Sequence, residues 1–573
     1  MNAVKIGGLA NMLWKIAEPD VNLVRNLARA LNISGILAIL LVNRGMTDVV
    51  AARRFLNPRL EYLEDPFLMS DLEAAVNRIL AAIHFREKIL IYGDYDVDGT
   101  TAVVILRKAL EMLGARTSYY IPRRLVDGYG MKADVIEQAA TEGVKLVISV
   151  DTGIKAFDVV ERASWLGLDC IITDHHLPEK GLPKALAVLN PKRPDCQYPD
   201  KNLCGVGVAF KLVQALFKTA NKEKYLAPFL KIVAIGTIAD IVPLTGENRI
   251  FAKFGLEGLQ IPVNFGLKSL IEVSGLEGRL ITSSDVGFRL APRINAVGRM
   301  GGGEQAVELF ASTDEQKTRV LAGEMDRLNR ERQQIEGQIL KDIENRFDSN
   351  PALSQQWVIM IDGEGWHRGV IGIAATKLTE KFNRPALVIS KDDGIGYGSA
   401  RSIKGFHLLN ALESCRDLFD RFGGHAQAAG FQLPVKHMAE LRRRLNIFAE
   451  KVIKAEDLRP ALEIDTEIRL SDVDDEAYQQ LERLSPFGPA NPEPVFAARE
   501  LSVIAEPRLL KGKHVKFRVE QDGKALDAIG WNMAQYYQPI QESKAISLAF
   551  TLSQNSFQNM KFLQLIVKDL EIL

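Results

Sequence analysis

The chain has 573 residues, of which 47% are hydrophobic and 25% charged. This is the composition of a globular protein and excludes wholesale disorder; at roughly 100–200 residues per domain it implies about three or four domains. The 72 lysines and arginines balance 72 aspartates and glutamates, which excludes a uniformly basic binder but not local basic stripes, because phosphates respond to local fields.

The apolar run Ile36 to Val42 is far shorter than the roughly 20 residues of a membrane span. The start, MNAVKIGGLANMLWK, lacks the charged, apolar and small-residue segments of a signal peptide. Cys170, Cys196, Cys204 and Cys415 form no CxxC and no framework, which suits a reducing cytosol.

Residues 1 to about 85 read as helices, with apolar positions every three or four residues. The period then changes. Lys88–Tyr92, Lys145–Val150 and Asp169–Thr173 are short, nearly continuous apolar runs, as expected of strands buried on both faces of a parallel sheet. Helical stretches lie between them at 101–113, 132–142 and 156–166, so the alternation predicts βαβ units and an open, mostly parallel sheet. Residues 207–273 read as mostly helical. The apolar stripe from Leu321 to Phe347 predicts one long helix over 313–347, roughly 50 Å long and able to join two domains. DSNPALSQQ (348–356) breaks it, and a second α/β unit follows with strands at 357–361 and 386–389 around a helix at 369–381. After about residue 460, alternating short strands predict a small β-barrel.

Each buried run stops at candidate metal ligands: Asp94, Asp96 and Asp98; Asp151; and Asp174, His175 and His176. In open α/β sheets ligands bind outside the carboxyl ends of the strands. Asp240, after the apolar run KIVAIGTIAD, is a further candidate. So many like charges buried together would repel unless a cation neutralised them. Carboxylates with imidazole favour manganese, with magnesium also suited, and two such ions could activate water and stabilise a leaving oxygen in phosphodiester hydrolysis. The plainer alternatives are that Asp151 is a helix N-cap and that the histidines only pack in a loop.

At DYDVDGT (94–100), SVDTG (149–153) and TDHH (173–176) the sequence closely resembles the DHH phosphoesterase superfamily and, within it, the RecJ family of bacterial single-strand-specific exonucleases. GTIADIVPL (236–244), RINAVGRM (293–300), GWHRGVIGIAATKL (365–378), GSARS (398–402) and FGGHAQAAG (422–430) extend the likeness over nearly the whole chain. The resemblance implies a DHH domain preceded by a helical region (1–312), the connecting helix (313–347), a DHHA1-like domain (348–458) and an OB-like barrel (459–573). It implies metal-dependent 5′→3′ degradation of single-stranded DNA to mononucleotides in repair and recombination. Carried over by motif, Asp96, Asp98, Asp151, His175 and Asp240 are ligands for manganese or magnesium, with Asp94 added to the set although other branches carry a histidine near the position of Tyr92. His176 either ligates or holds a ligand and polarises the phosphate. The implied partners are single-stranded DNA, a single-strand-binding protein and a helicase; a cytoplasmic monomer is expected, with no membrane. A small-substrate DHH phosphoesterase, cleaving short oligonucleotides or cyclic dinucleotides, and a non-catalytic scaffold are the rival readings.

Arginine binds phosphate through two parallel N–H donors. Ser399 and Arg401 are therefore expected on a 5′-terminal phosphate, with Arg293 or Arg299, bracketing Asn295, on the scissile one. Gly423 and Gly424 free backbone N–H groups for an anion, and His425 could donate to a phosphate oxygen or supply a proton. His367 is a weaker candidate of the same kind, whereas His84, His407, His437 and His514 read as structural. Two basic segments suit an unpaired strand: 107–125, with Arg107, Arg123, Arg124, Tyr119 and Tyr120, and 507–518, with Arg508, Lys511, Lys513, Lys516 and Arg518.

Overall fold

The computed structural model describes residues 12–124, 128, 130–179, 181–300, 302–557 and 560–573; the opening segment read as free of a leader, up to Asn11, and Leu125 lie outside them. The chain forms two compact units. One comprises residues 58–452 with 486–490, and the other comprises residues up to 57, 453–485 and 491–573.

The first unit is built on a parallel sheet. Its strands, in spatial order, are Arg116–Tyr120, Lys88–Tyr92, Val144–Val150, Asp169–Thr173 and Ala187–Leu189. Alternate residues of the apolar runs feed two cores. Ile89, Ile91, Leu146, Ile148 and Ile171 pack with Val103, Leu106, Val206 and Phe210 of the helices Val97–Met112 and Gly205–Thr219. Leu90, Tyr92, Val147, Cys170 and Ile172 pack on the other face with Ile136 and Val160. The chain leaves Lys88–Tyr92 toward one edge and returns to Val144–Val150 on its other side, so the strand order reverses between these two, where α/β sheets open a ligand crevice. The strands Arg116–Tyr120 and Ala187–Leu189 were not expected. The former is a half-exposed edge whose sequence, RTSYY, carries no apolar run.

The long helix runs from Glu315 to Ser349, 35 residues. It joins two cores of this unit: Ala322 and Met325 lie in the first, while Ile339 and Ile343 pack against Ile361, Val370, Ala374 and Val388 in the second. That second core covers a mixed sheet with strands Arg421–Gly424, Ala428–Pro434, Ile395–Arg401, Ala386–Asp392 and Ile359–Glu364 in spatial order.

The other unit is a closed barrel: Phe496–Leu510, His514–Gln521, Lys524–Gly530, Met560–Ile572 and Ala545–Phe557 pair in turn, and the last pairs back with the first. Val21–Leu31, Gly35–Asn43, Val49–Leu56 and Leu72–His84 are helices, as expected, but the described residues up to 57 group with the barrel unit and not with the DHH domain. Leu13–Ile16 is a strand paired in parallel with Ala461–Ile464, and the Trp14 indole N–H donates to Asp569 at 2.9 Å. The partner strand lies near the opposite end of the chain, so no local pattern announces it.

One buried ion pair ties the first unit's helices together. Lys211 Nζ lies 2.8 Å from both Glu247 Oε1 and the Glu64 carbonyl, and the Tyr198 hydroxyl donates to the other Glu247 oxygen. Glu247→Ala would strand a fully buried ammonium and is expected to cost about 3–5 kcal/mol in urea unfolding. The double variant Lys211→Met/Glu247→Leu should recover most of that loss.

Candidate metal and phosphate site

Asp94, Asp96 and Asp98 occupy the loop and first helical turn after strand Lys88–Tyr92. Asp96 is the N-cap of helix Val97–Met112 and accepts from the Gly99 N–H at 3.0 Å. Asp98 is held from across the site: its two oxygens accept from Gly205 N at 2.6 Å and Val206 N at 2.7 Å, the first N–H groups of helix Gly205–Thr219. A helix N-terminus is a favourable place for a carboxylate.

Asp151 ends strand Val144–Val150 with φ +59°, a left-handed conformation that aspartate tolerates better than most residues. It is not an N-cap, since the next helix starts at Phe157 after Ala156. Helix Gly205–Thr219 approaches so closely that a Cβ at Gly205 would lie 2.5 Å from the Asp151 side chain. Glycine is thus a condition of the site.

Asp174 has a different role from the one its place at the strand end suggested. Its Oδ1 accepts from His175 N at 2.7 Å and His176 N at 3.1 Å and lies 2.8 Å from His176 Nδ1, while Oδ2 accepts from Ile154 N at 2.9 Å. These bonds saturate it. It holds the backbone of both histidines and the ring of His176 instead of offering an oxygen to the crevice; the acid directly before two imidazoles in TDHH was the available signal.

The remaining groups converge. His175 Nε2 lies 3.2 Å from Asp151, 3.7 Å from Asp240 and 3.8 Å from Asp98, Asp240 arriving at the C-cap of helix Leu230–Ala239. Candidate ligand atoms fall within 4.8 Å of one another in three overlapping sets: Asp151, His175 and His176; Asp98, His175 and Asp240; Asp94, Asp96 and Asp151.

Burial, then mutual repulsion, pushes these carboxyls up: Asp98 to about 7, Asp240 to about 9, and Asp94 and Asp151 well above their ordinary value. Burial and the neighbouring His176 push His175 down to about 3, so its ring is neutral and offers a lone pair. Asp94 Oδ1, Asp151 Oδ1 and Asp240 Oδ2 are buried and accept no hydrogen bond. A neutral imidazole has at most one proton to share among three carboxylates. The donor set therefore fits divalent cations, whose charge and open coordination positions would satisfy these oxygens.

A complementary cluster adjoins it. The Arg124 guanidinium stacks over Tyr95, 5.1 Å from the ring centroid, and Tyr95 stands in sequence between Asp94 and Asp96. Arg299 is half-buried; the desolvation of its guanidinium and the charges of Arg124, Arg332 and Arg401 hold its pKa down to about 10. Arg299 donates to the Gly369 carbonyl at 2.8 Å, and Arg401 to the Ala400 carbonyl at 2.8 Å and the Ser399 hydroxyl at 3.3 Å. Arg332 has Glu336 at 2.7 Å, but among the described residues no carboxylate pairs with Arg124, Arg299 or Arg401.

Residues 88–237 match the family model of the DHH family N-terminal domain, 352–451 that of the DHHA1 domain and 464–569 that of the RecJ OB domain. The single-stranded-DNA-specific exonuclease RecJ of Bacillus subtilis is 40% identical over 564 residues, which span 98% of this chain and 71% of that protein. This chain belongs to the RecJ family. Crystal structures of RecJ from Thermus thermophilus with Mn2+ and with Mg2+ match 98% of this chain. Their TM-scores are 0.83 and 0.76, at 28% and 27% identity over 79% and 78% of those chains. RecJ has thus been solved with either of the ions that the donor chemistry favours.

Other expected site residues of this RecJ-family chain are distributed unevenly. Arg293 does not face the cluster: it pairs with Asp326 at 2.9 Å and donates to the Arg289 carbonyl at 2.6 Å, so its charge is spent on the long helix. Asn295, two residues on, is half-buried on the same helix, Ala291–Met300. His425 is exposed after the Gly423–Gly424 strand end; partial burial of its ring and the charges of Lys155, His176 and Lys192 hold its pKa below the usual value. The first basic segment is partly neutralised, since Arg107 bonds Glu111 at 2.9 Å and the Tyr119 hydroxyl donates to Glu308 at 2.9 Å; Arg123 stays exposed. In the barrel, Lys516 lies 2.8 Å and Arg518 3.8 Å from Asp527, which offsets one positive charge of the second stripe.

The raised carboxyl pKa values make the metal-free fold pH-sensitive. Unfolded, Asp98 and Asp240 ionise near their ordinary 3.8; folded, they keep protons to about 7 and about 9. The folded state binds more protons across this window, so their contribution to stability is greatest below the unfolded value and falls as pH rises through the folded ones. Bound cations would lift that penalty. Thermal melts should show a larger manganese-over-EDTA stabilisation at about pH 8.5 than at about pH 5.5, and Asp240→Asn should flatten the difference.

Proposed function

We propose that this chain is a manganese- or magnesium-dependent exonuclease that removes mononucleotides from the 5′ end of single-stranded DNA. The observation that carries the reading is the adjacency of two uncompensated clusters at Tyr95: carboxylates lacking a cation and arginines lacking an anion. An end-binding phosphodiesterase needs both, one for the scissile phosphate and one for the terminal phosphate.

Asp94, Asp96, Asp98, Asp151, His175 and Asp240 would hold the ions, with His176 at the border of the set. Bound there, a pair of divalent cations would neutralise the phosphate and lower the pKa of an attacking water. The chain's own residues do the positioning. Arg299, Arg401 and Ser399 take the 5′ phosphate, and Arg124 on Tyr95 closes the side toward the metals. Asp174, 2.8 Å from His176 Nδ1, fixes that ring within reach of Asp151 and His175. Neutral at pH 7, His425 donates an N–H to a phosphate oxygen in preference to delivering a proton.

The barrel favours long strands over the short oligonucleotides or cyclic dinucleotides of small-substrate relatives, because Arg508, Lys511 and Lys513 have no acidic partner among the described residues. A scaffold would have no use for a full set of buried, unpaired ligands. All proposed ligands come from one chain, which is consistent with a monomer. An enzyme restricted to single strands also requires an activity that separates duplex upstream of it, the role expected of a helicase.

Strands labelled at either end, digested with and without manganese, should release the 5′ label first, as a mononucleotide and only with the ion. Asp151→Ala should lose at least about a hundredfold in rate. Arg401→Ala should lose the preference for 5′-phosphorylated over 5′-hydroxyl strands, about 1.5–3 kcal/mol or roughly 10–150-fold in kcat/KM.

A further inference from the structure

Asp527 sets one negative charge against Lys516 and Arg518, and the cations of the 507–518 stripe with no acidic partner among the described residues, Arg508, Lys511 and Lys513, gather at the hairpin between Phe496–Leu510 and His514–Gln521. Lys511 and Gly512 both have positive φ, +51° and +65°, and the Lys513 N–H closes the turn on the Leu510 carbonyl at 3.1 Å. With Leu510 paired to His514, residues 511–513 form a tight three-residue connection closed by that bond, a short and well-defined tip. Arg508, Lys511 and Lys513 on it are exposed.

The chain returns beside this tip just after strand Lys524–Gly530. Asn532 N–H donates to His514 Nδ1 at 2.9 Å, and Ala534 N–H donates to the Lys513 carbonyl at 3.2 Å. Trp531 is thereby fixed next to the cations. Its ring meets His514 edge to face, with centroids 4.8 Å apart, yet 51% of the residue is exposed. A cavity of about 310 Å³ opens alongside, lined by Trp531, Asn532, Met533, Tyr536 and Val567 among others.

A tryptophan used as filler would be buried, because leaving half an indole in water forgoes its hydrophobic contribution. This one is held by backbone bonds to the hairpin while its ring stays in water, beside three cations that have no counter-ion among the described residues. We infer that Trp531, braced by His514, is a stacking site for one unpaired base of the DNA strand, with Lys511, Lys513 and Arg508 taking the flanking phosphates. The inference rests on the exonuclease reading and extends it: the barrel grips bases through a ring as well as backbone through charge. An extended proline-rich peptide could also lie on an indole, but the cations favour a polyanion. His514, read from sequence as structural, becomes the brace of the site.

Base stacking on an aromatic ring contributes about 1–3 kcal/mol, so the expected loss on Trp531→Ala is roughly 5–150-fold in strand affinity. The test uses the full chain in EDTA, with a fluorescent thymidine strand and the same strand made wholly abasic. Trp531→Ala should weaken binding of the intact strand and leave the abasic strand unchanged, while Trp531→Phe should stay within about threefold of the parent on both. Equal affinity of Trp531→Ala and parent for the intact strand overturns the inference, and so does an equal loss on both strands. Hydrolysis of the intact strand by the parent with manganese, measured in parallel, separates these results from failure of the exonuclease reading, which would show as no cleavage.

Discussion

Five carboxylates, Asp94, Asp96, Asp98, Asp151 and Asp240, crowd into one crevice with His175 and His176, and among the described residues no lysine or arginine forms an ion pair with these carboxylates. Asp94, Asp151 and Asp240 each keep an oxygen that accepts no hydrogen bond, which in an ordinary core would be a heavy destabilising load. The fold sustains it by holding each ligand rigidly from a different element. Asp98 is clamped by the N-terminus of helix Gly205–Thr219, Asp151 by a left-handed backbone at a strand end, and Asp240 by the end of a helix. The repulsion is relieved by protons at low pH and by a cation above it, so metal affinity and fold stability are two readings of the same force.

The arginine cluster obeys the same logic with the sign reversed. Arg299 is pressed by desolvation and by its like-charged neighbours until its pKa falls to about 10, and its hydrogen bond goes to a carbonyl instead of a carboxylate. Two such clusters side by side would collapse onto each other if their side chains were free to pair. Tyr95, between Asp94 and Asp96 in sequence, is covered by the Arg124 guanidinium, and Arg299 and Arg401 are anchored on backbone carbonyls. The separation of charge is therefore built into the packing, and a phosphodiester with a terminal phosphate is a ligand that satisfies both sides at once.

The central strands and their acidic ends were readable because a strand buried on both faces must be a continuous apolar run, and several acids gathered at the carboxyl ends of neighbouring runs are more than caps and turns such as Asp96 and Asp174 provide. Edge strands lack that constraint, which is why RTSYY was overlooked. The long helix was legible to within a few residues from its apolar stripe. What stayed hidden was pairing at a distance. The partnership of Arg293 with Asp326, of Lys516 and Arg518 with Asp527, and of strand Leu13–Ile16 with Ala461–Ile464 depends on which residues the fold brings together, and residue type and spacing are silent about that. Arginine chemistry offered Arg293 or Arg299 for one phosphate and Arg401 for another; among the described residues Arg293 pairs with Asp326, whereas Arg299 and Arg401 bond to carbonyl and hydroxyl oxygens.

The same accounting of charge shows what the barrel contributes. Counting cations along 507–518 gives a uniform stripe, whereas setting Asp527 against Lys516 and Arg518 leaves the cations without an acidic partner at a tip next to an exposed ring. A uniform stripe would bind any polyanion, duplex included, since phosphates of either form would serve it. A short charged tip with a fixed indole needs a base that has left its stack, and unstacked bases are what a single strand supplies. Strand selectivity can then arise at the barrel through chemistry that a duplex cannot present, before any end reaches the metal crevice.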